Sequence, residues 1–277
     1  MEDQLFSVKN KVAIVTGGLG QIGRNIVAEL YSRGAKVAVF TKHFSEERAE
    51  NIFPETQFDR ENMAFYAVDV NRKNTIEKAL DEMLDKWKTA PDILVNNAGI
   101  DTQPSAPPEV SGPFESFPEE VFREVVDINL IGTFLMTQAV GARMIKEGKR
   151  GSIINIGSIY GMLSPIQDIY AYKEERTGVP FIKPVAYSAA KSGVYNLTRY
   201  CATYWGKSGI RVNTLTPAGV WRDTQDETFI KNFTEHMPMG RMSRENEYNG
   251  AVIFLASEAS SFMTGSNLVI DGGWTAW

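Results

Sequence analysis

Short apolar runs alternate with longer amphipathic stretches from one end of the chain to the other. Strands of a parallel sheet are covered on both faces, so they read as continuous apolar runs, and the helices between them show one apolar face. This alternation therefore predicts repeated βαβ units. The predicted strands are residues 11–16, 36–40, 63–68, 93–96, 152–156, 211–215 and 267–270, and the predicted helices are residues 22–33, 74–87, 119–146, 185–207 and 245–256.

These elements predict an α/β fold, a single-domain Rossmann-type doubly wound sheet of about seven parallel strands with helices on both faces. The chain has 277 residues, which suits one large α/β domain better than two small ones. Neither an internal repeat nor a linker divides it. We therefore expect residues 1–277 to form one dinucleotide-binding catalytic domain.

Three predicted loops, residues 101–118, 161–184 and 218–241, are rich in proline, glycine or charge. Each follows a predicted strand, so each should lie at the carboxyl edge of the sheet, where ligands bind in such folds. Long loops in compact domains are often functional, although they can also be mobile surface excursions. We expect these three to surround the substrate.

Composition excludes several classes of function. The formal net charge is −5 and the basic residues are scattered, which argues against a nucleic-acid partner. Cys201 is the only cysteine, and His43 and His236 are far apart, so no metal site is expected. The polar start is unlike a signal peptide, and no run was expected to reach the roughly 20 apolar residues of a membrane span. A cytoplasmic protein with a small-molecule substrate and no membrane partner is the expectation.

Tyr187 and Lys191 lie four residues apart in a predicted helix, so their side chains project from one face. An ammonium group near a phenol favours the phenolate, which would bring proton exchange closer to neutral pH. Ser158 follows the predicted fifth strand and adds a hydroxyl. A Tyr/Lys pair occurs by chance in many helices, but with this serine and a glycine turn it indicates carbonyl–alcohol redox chemistry.

Gly17, Gly20 and Gly23 stand between the first strand and the first helix, as a dinucleotide-binding turn requires. Selectivity between the two nicotinamide cofactors depends on the residue that ends the second strand. Here that strand runs into Thr41 and Lys42 without an acid. The pattern favours NADP(H) over NAD(H), although Lys42 could equally be an ordinary solvated lysine.

Taken together, these marks resemble the short-chain dehydrogenase/reductase family over essentially the whole chain. The resemblance rests on the T-G turn at 16–23, Asp69, N-N-A-G at 96–99, Asn129 in D-I-N-L-I-G-T-F, Ser158, Y-S-A-A-K at 187–191, R-V-N-T-L-T-P at 211–217 and the tail at 262–273. Within the family, the chain looks similar to sugar, polyol and sugar-acid dehydrogenases.

The resemblance implies a role for each of four catalytic residues. Tyr187 would exchange the proton with the substrate oxygen, and Ser158 would orient that oxygen. Lys191 would lower the pKa of Tyr187 and bind the nicotinamide ribose, while Asn129 would hold a water in a proton relay. Hydride transfer itself belongs to the nicotinamide.

The resemblance also implies the cofactor contacts. They are Gly17, Gly20, Gln21, Ile22, Gly23, Thr41, Lys42, Asp69, Val70, Asn97, Ala98, Gly99, Tyr187, Lys191, Pro217, Gly219 and Val220. Two positions depart from the usual short-chain pattern. Gln21 occupies the place of the middle glycine, and Arg222 stands where a threonine is common after the sixth strand.

Polar and aromatic residues of the three loops suit a polyhydroxylated or acidic small molecule. The candidates are Asp101, Tyr160, Gln167, Trp221 and Arg222. The chain is thus expected to interconvert a secondary alcohol and a ketone on a sugar, polyol or sugar acid. A 3-oxoacyl thioester reductase and a non-catalytic dinucleotide-binding regulator are the alternatives.

Members of the family are commonly oligomers, so the resemblance implies a homo-oligomer, a tetramer or a dimer. Candidate interface residues are Tyr195, Tyr200, Tyr204, Trp205, Trp274 and Trp277. A buried core would explain the first four equally well.

Overall fold

A seven-stranded parallel sheet forms the centre of the computed structural model, which describes residues 4–277. The strands are β1 Val12–Thr16, β2 Lys36–Thr41, β3 Met63–Ala67, β4 Ile93–Asn96, β5 Gly151–Ile156, β6 Ile210–Pro217 and β7 Asn267–Ile270. Their order is β3-β2-β1-β4-β5-β6-β7, and every neighbouring pair is parallel. The predicted fold class is confirmed. The order reverses between β1 and β4, which places a crevice at their carboxyl ends.

The helices between the strands agree with the predicted ones, and four further helices were missed. They are α1 Gln21–Ser32, α2 Glu46–Ile52, α3 Lys73–Trp87, α4 Glu119–Val126, α5 Gly132–Lys146, α6 Ile159–Met162, α7 Tyr172–Thr177, α8 Val185–Trp205, α9 Glu227–Thr234 and α10 Asn249–Ala256. The missed helices α2, α6, α7 and α9 span only four to eight residues each. Such short segments carry too few turns for an apolar face to show as a period.

The last predicted helix, residues 245–256, begins only at Asn249. Glu247 accepts hydrogen bonds from the Arg244 backbone N–H and from the Arg241 guanidinium. These bonds hold the preceding residues in a turn, so the helix starts later than the pattern indicated.

Residues of the central strands point alternately into two apolar clusters. Ala13 and Val15 pack on one face of the sheet with residues of α1 and α10. Val12 and Ile14 pack on the other face with residues of α3 and α5. Burial on both faces explains why β1 reads as an unbroken apolar run.

Residues 119–146 form one long helical stretch, with a π-helical turn at Asp127–Ile131 between α4 and α5. The stretch is long and apolar enough to cross a membrane by length and composition, so the expectation that no run approaches a span was too strong. Half of its most apolar part is buried inside the protein. Met136, Val140 and Met144 belong to the cluster on one face of the sheet. It is a core helix of this fold.

Two of the three predicted substrate loops pack against each other over the carboxyl edge of the sheet. Tyr170 and Phe181 of the 161–184 loop lie with Phe229 and Phe233 of the 218–241 loop in a third apolar cluster, which also includes Trp274. The rings of Phe233 and Trp274 are stacked at 4.4 Å. These loops are therefore packed structure over the sheet edge. The 101–118 loop instead contains two short 3₁₀ turns, Pro108–Val110 and Phe114–Ser116.

Candidate active site

Ser158, Tyr187 and Lys191 meet at the carboxyl end of β5. Ser158 is the N-cap of α6, and its hydroxyl accepts a hydrogen bond from the Tyr160 backbone N–H at 3.2 Å. Lys191 is buried, and its ammonium donates to the carbonyl of Ile156, the last residue of β5, at 2.7 Å. The same ammonium lies 5.8 Å from the centre of the Tyr187 ring. The structure therefore brings together the three residues predicted from their spacing.

Asn129 reaches this group because the helix that carries it is locally widened into a π-helical turn. Its amide nitrogen donates to the carbonyl of Val125 at 3.0 Å and to that of Ile100 at 2.9 Å. Such widened turns occur frequently at functional sites. The two bonds fix the amide plane, and the buried Oδ1 accepts no hydrogen bond from residues 4–277. That oxygen is a free acceptor near Lys191.

Gly99, at the end of N-N-A-G, makes room for this amide. A Cβ on Gly99 would lie 2.5 Å from Asn129 Oδ1 and 3.8 Å from Lys191 Nζ. Carbon and oxygen atoms do not pack at the shorter distance, so only glycine fits without movement of a neighbour. The N-N-A-G motif therefore requires glycine at position 99 for a steric reason.

The electrostatics of the pair differ from the sequence-based expectation. Burial, and then the negative charge of Asp101, raise the pKa of Tyr187, while a hydrogen bond with Ser158 opposes them. Burial lowers the pKa of Lys191 to about 8, against the opposing charge of Asp101. Burial therefore outweighs any lowering of the Tyr187 pKa by Lys191 in this arrangement. The raised pKa favours the protonated phenol.

Tyr195, one of the residues proposed for an interface, instead contacts Ser158 from one helical turn beyond Lys191. Its hydroxyl donates to the Ser158 carbonyl at 2.8 Å, accepts from the Ser158 N–H at 3.3 Å and lies 2.7 Å from Thr216 Oγ1. The side chain is buried. Sequence analysis missed it as a functional residue, because a tyrosine within a helix does not reveal which residue its hydroxyl contacts.

The four residues border a cavity of about 450 Å³ at the carboxyl edge of the sheet. Tyr187 and Lys191 line its base, and α9 and the two packed loops form its outer wall. Its lining mixes aromatic rings with charged and amide groups, among them Asp101, Lys183 and Arg222. Such a space suits a small polar substrate next to an extended cofactor.

The glycine turn fits a dinucleotide pyrophosphate. Gly17 adopts a positive φ of 63°, and Gly20 begins α1 without a side-chain cap. The first turn of α1 contains no acid, so its N–H groups and dipole remain available to an anion. A Cβ on Gly23 would collide with the Gly17 carbonyl and lie 2.8 Å from Asn97 Nδ2. Helix, turn and β4 are therefore in close contact at this point.

The selectivity region at the end of β2 contains an ion pair that the sequence did not reveal. Lys42 Nζ lies 3.2 Å from Asp69 Oδ2. Burial alone would raise the pKa of Asp69, but the Asn71 N–H and Lys42 hold it below its usual range. Arg48 of α2 lies nearby, and its guanidinium donates to the carbonyls of His43 and Leu19. This second cation was missed because α2 was not predicted.

A family model described as enoyl-(acyl carrier protein) reductase, of the short-chain alcohol dehydrogenase type, matches residues 19–275. The chain is 34% identical over 278 residues to the 2-dehydro-3-deoxy-D-gluconate 5-dehydrogenase of Bacillus subtilis (strain 168), covering 97% of this chain and 96% of the relative. It is 32% identical to the D-threitol dehydrogenase of Mycolicibacterium smegmatis, covering 98% and 95%.

Two solved structures are similar over nearly their whole length. The short-chain dehydrogenase of Leptospira borgpetersenii with bound NAD⁺ has a TM-score of 0.82 at 33% identity, covering 97% of this chain and 94% of that one. The gluconate 5-dehydrogenase of Burkholderia cenocepacia in complex with NADP and tartrate has a TM-score of 0.82 at 30% identity, covering 99% and 98%. This chain belongs to the short-chain dehydrogenase/reductase family. It is an oxidoreductase that uses a nicotinamide dinucleotide and interconverts an alcohol and a ketone.

Several of the predicted cofactor contacts of this short-chain dehydrogenase lie in the wall of the cavity. Ile22, Asn97, Gly99, Pro217, Gly219 and Val220 line the cavity. Asn97 donates to the carbonyls of Thr16 and Gly17, and so ties β4 to the glycine turn. The side chain of Val70 instead lies in the core, against Gly132. Only the backbone of Val70 is therefore left for a contact with the dinucleotide.

Three of the five predicted substrate residues line the cavity, namely Asp101, Tyr160 and Arg222. The other two are corrected by the structure. Gln167 does not line the cavity; its amide bonds both the N–H and the carbonyl of Lys183. Trp221 is 52% exposed and lines a neighbouring surface depression instead. A loop sequence does not reveal which of its polar side chains turn inward.

Lys183, which was noted only as part of the 161–184 loop, is the main residue that sequence reasoning missed. Its side chain is 4% exposed and its ammonium lies 2.7 Å from Asp101.

On the other side of the cavity, Arg222 donates through Nε to Gln21 Oε1, and Gln21 donates to the Trp221 carbonyl. The residue that replaces the usual middle glycine thus ties the 218–241 loop to the cofactor turn.

Proposed function

We propose that this short-chain dehydrogenase acts on a small polyhydroxylated substrate of the sugar, polyol or sugar-acid type, through Asn129, Ser158, Tyr187 and Lys191. The observation that carries the proposal is the meeting of these side chains at the base of a cavity with a polar, partly charged lining. The names of the B. subtilis, M. smegmatis and B. cenocepacia relatives support the same class of substrate.

In this proposal each residue has one task. Tyr187, with its raised pKa, donates its proton to the substrate oxygen during reduction and takes it back during oxidation. Ser158 orients that oxygen, and Tyr195 holds the Ser158 backbone. Lys191 stays between Ile156 and Tyr187 and, when charged, stabilises a developing phenolate. The bound nicotinamide supplies or accepts the hydride.

Asn129 completes the proton path. Its amide nitrogen is bonded to two carbonyls, and so Oδ1 is left as a fixed acceptor near Lys191. An acceptor held in this way is suited to a water that passes a proton to or from the lysine. This geometry supports the proposed role of Asn129 as a relay residue.

For the cofactor, we propose a preference for NADP(H) over NAD(H). The end of β2 offers Lys42, with Arg48 as a second cation nearby, and no acid to accept a ribose hydroxyl. The ion pair with Asp69 opposes this cofactor preference, because it engages the Lys42 ammonium. Lys42→Ala should raise KM for NADPH about two- to fivefold and leave KM for NADH unchanged. Lys88→Ala, a remote exposed lysine, is the control. An equal change for both cofactors would contradict the preference.

We also propose a cytoplasmic homo-oligomer, a tetramer or a dimer, in which residues 1–277 act as one catalytic domain. Tyr200 and Tyr204 support an interface on α8, since they are 64% and 69% exposed and their rings are stacked at 5.9 Å. Trp277 is also exposed, whereas Trp274 is buried in the loop cluster. Sedimentation equilibrium tests this, and a monomer at micromolar concentration would contradict it.

The proposed function is tested by following nicotinamide absorbance with polyols, keto-sugars, sugar acids and a 3-oxoacyl thioester. Tyr187→Phe should lower kcat on the substrate found by roughly a hundredfold or more, while cofactor affinity stays within about twofold. Tyr200→Phe is the matched control, because it removes an exposed hydroxyl from the same helix. Turnover of the thioester alone would refute the substrate class, and an unchanged rate in Tyr187→Phe would refute the proton donor.

A further inference from the structure

Asp101 and Lys183 form an ion pair in the wall of the catalytic cavity, and neither belongs to the four residues that carry the reaction. Asp101 follows β4 by way of the N-N-A-G turn, and Lys183 ends the loop that joins Ser158 to Tyr187. The pair therefore connects two loops that flank the catalytic residues. Burying two charges is costly, so such a pair inside a binding site needs a reason other than stability.

The hydrogen-bonding capacity of the two partners is unequal. An ammonium group has three donors, and Lys183 directs them to Asp101 Oδ1 at 2.7 Å, Asp101 Oδ2 at 2.7 Å and the Thr102 carbonyl at 2.8 Å. Its side chain is 4% exposed. Lys183 is therefore saturated and shielded, and has no donor left for a ligand carboxylate or phosphate.

Asp101 is the partner that faces the cavity. Its side chain is 28% exposed, and among residues 4–277 its carboxylate receives hydrogen bonds only from Lys183. A carboxylate has about four acceptor positions, so lone pairs remain free. The Lys183 ammonium lies 5.7 Å from the centre of the Tyr187 ring, which places the carboxylate close to the reacting end of the cavity. These lone pairs are open to a donor from water or from a substrate.

We propose that Asp101, held in place by Lys183, selects the substrate by accepting a hydrogen bond from a hydroxyl group on the carbon adjacent to the reacting carbon. The enzyme then prefers uncharged vicinal polyols to monoalcohols, because a monoalcohol displaces water from this partly exposed acceptor without offering it a donor. It also prefers them to sugar acids, because a ligand carboxylate at this position meets like charge. This inference rests on the proposed function and narrows its substrate class.

Two other cations line the cavity, Lys191 and Arg222; Lys191 donates to the Ile156 carbonyl within the reacting group, and Arg222 does not reverse this preference. Arg222 is exposed and donates through Nε to Gln21, at the start of the helix that follows the glycine turn. It therefore lies on the cofactor side, across the cavity from Asp101. Lys183 is a positioning residue in this scheme, since it acts on the substrate only through Asp101.

The test compares butane-2,3-diol with butan-2-ol, which lacks the neighbouring hydroxyl, and with 2,3-dihydroxybutanoate, which adds a carboxylate. The wild-type kcat/KM should be highest for the diol. In Asp101→Asn the ratio of kcat/KM for the diol to that for butan-2-ol should fall roughly ten- to a hundredfold, mainly through KM for the diol, while loss of the charge beside Tyr187 and Lys191 changes both values by a common factor. The double variant D101L/K183M removes both charges together, so it should fold and show the same loss of discrimination.

Lys183→Met tests the positioning role, because it leaves Asp101 in place and should still lose discrimination. The control is Asp92→Asn, which breaks a partly buried ion pair with Lys149 before β4, at the opposite edge of the sheet. It should leave the ratio of the two kcat/KM values unchanged. Equal losses for diol and monoalcohol, or a wild-type preference for the acid, would overturn the inference. Absence of turnover with all alcohols and polyols would instead refute the proposed function on which it rests.

Discussion

Replacing Gly99 by alanine tests the tight packing around Asn129. Gly99 does not have a positive φ, so its backbone accepts an alanine without strain. The atoms nearest to the added methyl group belong to Asn129 and Lys191, with Asn129 Oδ1 at 2.5 Å and Lys191 Nζ at 3.8 Å. Ordinary contact between such atoms begins about 1 Å further out. The amide must therefore move by nearly that distance.

The amide is not free to move, because its nitrogen is bonded to the Val125 and Ile100 carbonyls. Relief of the clash by rotation would break both bonds, at about 1 kcal/mol each. We therefore expect Gly99→Ala to lower the free energy of unfolding by about 1–3 kcal/mol. Because a shift of about 1 Å can cost up to roughly a hundredfold in rate, we expect kcat to fall at least about tenfold.

Thermal unfolding and steady-state kinetics measure the two effects, with Gly250→Ala as the control. Gly250 lies in α10 with no atom within 4 Å of an added Cβ, so alanine there should stabilise by about 0.5–1 kcal/mol. In an Asn129→Ala background, Gly99→Ala should have little further effect on kcat, since its target is gone. Full additivity of the two changes, or a Gly99→Ala enzyme with wild-type kcat and stability, would refute the steric argument.

Three further predictions concern the same region. The pKa of Lys191 is lowered to about 8 in the folded protein, so between there and the ordinary lysine value of about 10.4 the unfolded chain binds more protons. Stability should rise with pH across that window, by at most about 1.4 kcal/mol per pH unit, and denaturant unfolding of Lys191→Met should lack the rise; identical slopes would contradict this. Tyr195→Phe leaves the Ser158 N–H unpaired and removes one of the two hydrogen bonds to the Ser158 carbonyl, which keeps the one from the Gly161 N–H, so calorimetry should show a loss of about 1–3 kcal/mol with a lower kcat, whereas an unchanged kcat would separate Tyr195 from catalysis. Gln167→Ala removes both amide bonds to Lys183 and should raise substrate KM several-fold at nearly constant kcat; a fall in kcat alone would show that Gln167 acts elsewhere.

The sheet and the catalytic residues were predictable because their signals are local. Burial on both faces makes a strand such as β1 a continuous apolar run, which can be seen in five residues. Tyr187 and Lys191 are one helical turn apart, so their common face follows from spacing alone. The glycine turn is likewise contained within eight residues between one strand and one helix. In each case the residues that form the feature are close together both in the sequence and in space.

The widened helical turn at Asn129 had no such signal. It depends on bonds from one amide to a carbonyl in the preceding turn and to Ile100 in a different segment. The same applies to Tyr195, whose partners Ser158 and Thr216 lie 37 and 21 residues away. Long-range contacts of this kind leave no period in the sequence.

The sequence alone thus determined the fold class, and it predicted the dinucleotide turn and the proposed catalytic tyrosine and lysine. Only the tertiary structure decided how the long loops close over the site. It turned Gln167 away from the cavity, placed Lys183 against Asp101 across 82 residues of chain, and paired Lys42 with Asp69. The physical reason is that a polar side chain in a loop binds the charged or polar groups that other segments bring close to it. Which groups those are depends on the packing of the whole fold.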